Sequence, residues 1–96
     1  MLKYRVTLEM DGQKVDQVII GEDAEAVVRN AKLMVAKKLP WLKRAFVKNM
    51  GNVSFAQEVV RRYNKKFKRS DALPQSAEGF IAWAISRQFA RAEGDM

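Results

Sequence analysis

The chain has 96 residues, 48% of them hydrophobic, with 18 lysines and arginines against 11 acids and neither cysteine nor histidine. That length suits one domain over 1–96 with a modest core. The missing residue types exclude disulfides, thiolate nucleophiles, histidine bases and the usual zinc sites. A formal charge of +7 points to a polyanion or an acidic surface as partner. The longest apolar runs, Val18-Ile19-Ile20 and Phe80 to Ile85, are too short to cross a bilayer. The alternating N-terminus offers no signal-peptide core. These features predict a cytoplasmic protein with no membrane partner and no cofactor.

Leu2, Tyr4, Val6, Leu8 and Met10 alternate with Lys3, Arg5, Thr7 and Glu9, the period of a half-buried strand. Asp11-Gly12 suits a two-residue hairpin turn because both positions accept positive φ. A second strand then covers Lys14 to Ile20. A regular register puts Leu8 opposite Val15 and Glu9 opposite Lys14, but it places Val18 and Ile20 on the face of Lys3 and Arg5. Either a bulge shifts that register or both faces of the strand are partly covered.

Glu22, Asp23 and Glu25 stand at the start of a helix over about 23–38, where acids meet the positive end of the dipole. Ala24, Val27, Val28, Ala31, Met34 and Val35 share its apolar face. Lys37 and Lys38 fall in the last turn, and Pro40 ends the segment. Residues 41–50 read two ways. Trp41, Leu42, Ala45, Phe46 and Met50 have helical spacing, yet a lone hairpin is marginal and a third strand near 44–48 would complete it.

Ser54 and Gln57 have capping-box spacing and predict a helix over 54–68. Ala56, Val59, Val60, Tyr63 and Phe67 lie on one side of it. Arg61, Arg62, Lys65, Lys66, Lys68 and Arg69 fill an arc of roughly 160° on the other. Glu58 shares that arc and is spaced to pair with Arg62. After a turn at 70–75, Ser76 caps a last helix over 76–91 with Ala77, Phe80, Ile81, Ala84, Ile85 and Phe89 on its apolar face. A frayed tail is expected over 93–96. The elements together predict an α+β fold: an N-terminal antiparallel hairpin packed with three helices.

Charge is unevenly placed. Residues 29–69 hold thirteen cations and the single acid Glu58, whereas the segments on either side are net acidic. Six cations on one helix face suit the phosphates of DNA or RNA, and Lys37, Lys38, Lys43, Arg44 and Lys48 would extend the patch if the fold brings them alongside. A solvated helix face is the plainer explanation, but such faces normally mix signs. The expected function is non-catalytic nucleic-acid binding. The alternative is a small inhibitor or adaptor, of the kind phages and mobile elements encode, that docks on an acidic protein surface.

Trp83 is a candidate protein-interface anchor, since its helix has a full apolar face without it; Trp41 and Tyr63 are further candidates for base stacking. All three also suit the core of a small domain. Glu22, Asp23, Glu25, Asp71 and Glu78 are explained by helix starts and a turn. With no base, nucleophile or metal-ligand companion, no enzymatic role and no metal site are expected.

Overall fold

A computed structural model describes residues 1–10, 13–38 and 50–93. It is an α+β fold made of strand β1 (Leu2–Met10), strand β2 (Gln13–Gly21), helix α1 (Ala24–Lys38), helix α2 (Asn52–Phe67), helix α3 (Ala77–Ser86) and strand β3 (Ala90–Ala92). The strands form one antiparallel sheet in the order β2-β1-β3. The Asp11-Gly12 turn and the alternative readings of 41–50, including a strand near 44–48, lie outside the described residues.

The hairpin is regular. Leu8 faces Val15, Glu9 faces Lys14 and Met10 faces Gln13, with no bulge along the pairing. Lys3 therefore faces Ile20 and Arg5 faces Val18. Because side chains alternate between faces, Leu8, Val15 and Ile19 turn toward the helices, where Val15 and Ile19 are buried. Val18 and Ile20 turn outward and remain 36% and 42% exposed. Arg5 links the outward face through Asp16 at 2.8 Å and Glu93 at 2.5 Å.

The last helix is shorter than the apolar spacing predicts. It ends at Ser86 rather than near residue 91. Gln88 adopts a left-handed φ of 65°, and the N–H groups of Gln88 and Phe89 bond back to the Ile85 and Ala84 carbonyls at 3.0 and 2.8 Å. This turn ends the helix and frees Ala90–Ala92 to pair with β1, with Tyr4 opposite Ala92 and Val6 opposite Ala90. The backbone gains strand partners on an otherwise open edge, while Phe89 still reaches the rings of Tyr63 and Trp83. Glu93, first residue of the expected frayed tail, is held by its N–H on the Lys3 carbonyl at 2.9 Å.

Helix α1 begins where Asp23 Oδ1 accepts the Ala26 N–H at 2.9 Å, satisfying a donor that a helix start leaves open. Its apolar face buries Val27, Val28 and Val35 between the sheet and the other two helices, with Ala56, Val60 and Ala77 fully enclosed. Lys32 is buried as well, its ammonium donating to the Met50 carbonyl at 2.8 Å. Nothing in the spacing of α1 marks Lys32 as buried. The bond ties α1 to the residues leading into α2.

Gly21 sits where β2 turns into α1, and the chain passes so close that a Cβ there would stand 2.6 Å from the Val27 nitrogen and 2.9 Å from the Ala26 carbonyl carbon. Both neighbours are helix backbone and cannot rotate away. Gly21→Ala should therefore destabilise the fold by about 1–3 kcal/mol, the usual range for overpacking. Urea unfolding measures this directly; an unchanged midpoint would contradict the close approach.

Candidate nucleic-acid interface

Helix α2 starts two residues before the capping-box spacing predicts. Gly51 precedes it in extended conformation, φ −67° and ψ 164°, and no side chain caps the first turn. Ser54 is inside the helix, and Gln57 reaches the Pro74 carbonyl at 2.9 Å. Asn52 instead anchors the start through its amide, 2.8 Å from Glu25 Oε2 on α1. Tertiary bonds take the place of the local box.

One side of α2 is docked by Phe55, Ala56, Val60 and Tyr63. That docking fixes the helix's rotation and so aims its opposite face outward. Arg61, Lys65, Lys66, Lys68 and Arg69 are exposed, and Arg62 is half-buried. Glu58 holds both arginines, with Oε1 3.2 Å from Arg62 Nε and Oε2 3.4 Å from Arg61 Nη1. The expected i,i+4 pair is present, and Arg61 shares its carboxylate. Among the described residues Lys65, Lys68 and Arg69 make no ion pair.

The helix end is shaped by its backbone. Lys68 turns left-handed at φ 53°, and the Arg69 N–H returns to the Asn64 carbonyl at 2.9 Å. The Asn64 side chain then brackets Asp71, donating to its carbonyl and accepting its N–H, both at 3.0 Å. Lys68 and Arg69 thus leave the helix on a braced turn. Phe67 stands beside them 48% exposed, with the Lys66 ammonium 6.0 Å from its ring centre. Its apolar spacing marked it for the core, and its ring does lie 4.9 Å from that of Tyr63, but about half of the residue stays exposed.

The six cations of α2 are thereby gathered on one helix and its terminal turn. Lys37 is not with them. It lines a groove with Asn30, Leu33 and β2, on a different flank of α1 from Glu25 and Lys32, which touch the segment leading into α2. The side chain of Lys38, and Lys43, Arg44, Lys48 and Trp41, lie outside the described residues.

Trp83 and Tyr63 sit within an aromatic cluster behind the basic face. The Tyr63 ring meets Trp83 edge-on at 5.2 Å, Phe80 stacks on Trp83 at 5.9 Å, and Tyr63 is 7% exposed. The half-buried Trp83 donates its indole N–H to Asp71 Oδ2 at 2.8 Å. Arg87 grips both Asp71 oxygens and stands 5.5 Å from the Tyr63 ring centre. These bonds span 12 and 16 residues, so no local spacing announces them. The helix α3 start is as its sequence predicts, with Ser76 Oγ accepting the Gly79 N–H at 3.0 Å.

Hydrogen bonds from Arg87 and then Trp83 hold the Asp71 carboxyl below the usual carboxylate range. Arg5 does the same for Glu93 on the sheet. No known protein family, curated protein or solved structure matches the chain.

A carboxyl with a depressed folded pKa binds a proton more readily when unfolded. Its stabilisation is complete above the unfolded value, about 3.9 for aspartate, and is lost as pH falls through the folded one. Asp71→Asn should therefore lower the urea midpoint at neutral pH, with the gap from wild type narrowing in acid below the ordinary carboxylate range. Trp83 fluorescence in a Trp41→Phe background would follow the change. An equal gap at both pH values would contradict the assigned role of Asp71.

Proposed function

We propose that the chain is a non-catalytic nucleic-acid-binding protein that lays the outward face of α2 along phosphates. The observation that carries this reading is the exposure of Lys65, Lys68 and Arg69, which make no ion pair among the described residues, next to Arg61 on the same docked helix. A solvated face of this size ordinarily mixes charges, whereas here Glu58 is the single acid and is already shared by two arginines.

The mechanism is electrostatic. Each cation that neutralises a phosphate releases condensed counterions, so affinity falls steeply with salt. The negative end of the α2 dipole offsets part of the charge of Lys65 and Lys66 within the protein, but Lys68 and Arg69 project beyond the last turn. The exposed Phe67 ring adds a surface on which an unpaired base can stack. Phosphate contact with one stacking ring favours strand-tolerant binding over base-specific readout.

Fluorescence anisotropy with labelled single- and double-stranded DNA and RNA, titrated over salt, tests the reading. Replacing Lys65, Lys68 and Arg69 together with glutamine should reduce the log–log salt slope by roughly two to three, while thermal unfolding stays near wild type. Unchanged slope and affinity would remove α2 from the interface. Negligible wild-type binding at low salt would overturn the proposal and turn the search to acidic protein partners.

A further inference from the structure

Phe67 closes helix α2 with a ring that is 48% exposed, although a phenyl group has no polar atom to hydrogen-bond water. The ring is mounted on the fold. Tyr63, one turn earlier and 7% exposed, backs it at 4.9 Å with 40° between the ring planes. Tyr63 is in turn wedged edge-on by Trp83 at 5.2 Å and Phe89 at 5.6 Å. The aromatic cluster therefore runs from the core to the surface, and Phe67 is its most exposed member.

Cations border this ring. The Lys66 ammonium stands 6.0 Å from its centre. Lys68 follows in left-handed conformation, and Arg69 comes next with its N–H returned to the Asn64 carbonyl. Both of these side chains are exposed, so the braced turn places two cations within two residues of the ring. A lone exposed ring needs no explanation. A ring set on a buried aromatic and bordered by three cations is complementary to a flat apolar face that carries negative charge at its flanks. A nucleobase between two phosphates has that combination.

We propose that the end of α2 selects single-stranded nucleic acid over duplex, with Phe67 stacking on one unpaired base while Lys66, Lys68 and Arg69 hold the phosphates beside it. The inference rests on the nucleic-acid reading and adds the strand state that the site prefers. Phosphates of either form can lie along the cations of α2, and the ring ranks the two. In a duplex each base face is covered by its neighbours, so Phe67 reaches one only by unstacking a base step, which is costly. A single strand offers its bases freely, and stacking on the ring then adds to the phosphate contacts. Every base has a π-face, so the preference concerns strand state and not sequence. Because Tyr63 already backs the ring, little side-chain freedom is lost when the base arrives.

Fluorescence anisotropy of the full chain, with a labelled single-stranded oligothymidine and a labelled duplex of the same length at low salt, tests the selection. The wild type should bind the single strand the more tightly. Phe67→Leu keeps the apolar bulk but loses the flat face, and it should lower the ratio of single-strand to duplex affinity about tenfold. Phe67→Trp should keep that ratio or raise it. Thermal unfolding of both variants separates lost stacking from lost folding. Poly-glutamate, which carries charge without bases, is the third probe and should be indifferent to Phe67→Leu. A wild type that favours the duplex, or a ratio unchanged in Phe67→Leu, would overturn the selection while leaving phosphate binding by α2 in place. Poly-glutamate binding as dependent on Phe67 as that of the single strand would overturn it in favour of an acidic protein partner. No binding of either oligonucleotide would remove the nucleic-acid reading and this inference together.

Discussion

Asp71 is the residue on which the placement of the basic face depends. Its carboxylate joins Arg87 and the Trp83 indole, and its backbone is bracketed by Asn64 on α2. A partly buried carboxylate costs free energy unless its lone pairs are taken, and two side chains from α3 and its C-terminal cap take them. The turn after α2 is thus bound to α3 at the point where Lys68 and Arg69 leave the helix. Removing the carboxylate would loosen both the aromatic cluster and the angle at which those cations face solvent.

The sheet obeys a separate constraint. Strand β1 is the only strand with partners on both sides in the described sheet. Its second partner exists because the chain breaks helical geometry at Gln88. A left-handed residue without glycine is a local cost, offset here by strand pairing with β1 and by the packing of Phe89. Among the described residues the same arrangement leaves β2 as the long edge. Helices cover the inward face of the sheet, so the exposure of Val18 and Ile20 follows directly from the hairpin's regular register.

Much of this was legible in the residues, and the reasons are physical. The period-two pattern of Leu2 to Met10 and the spacing of Val27, Val28 and Val35 are set by burial on one face, so pattern and structure agree. The arc of cations on α2 was legible for the same reason. Strand β3 was not, because three residues, Ala-Arg-Ala, carry no strand signal and the spacing of Ile85 and Phe89 continues a helix. The Asp71 clamp and the buried Lys32 ammonium were equally hidden, since their partners are distant in sequence. Gly51 rather than Ser54 stands at the start of α2, where the Asn52 amide bonds Glu25 on α1, a partner 27 residues away that local spacing does not reveal.

The proposed contact is between the outward charge of α2 and phosphate. Amide chemical-shift mapping by NMR tests it most directly, with a short single-stranded oligonucleotide added at low salt and the salt then raised. Shifts should concentrate on Arg61 to Arg69, with Phe67 among them, and fade as salt increases. Shifts confined to the sheet, or none at all, would contradict it.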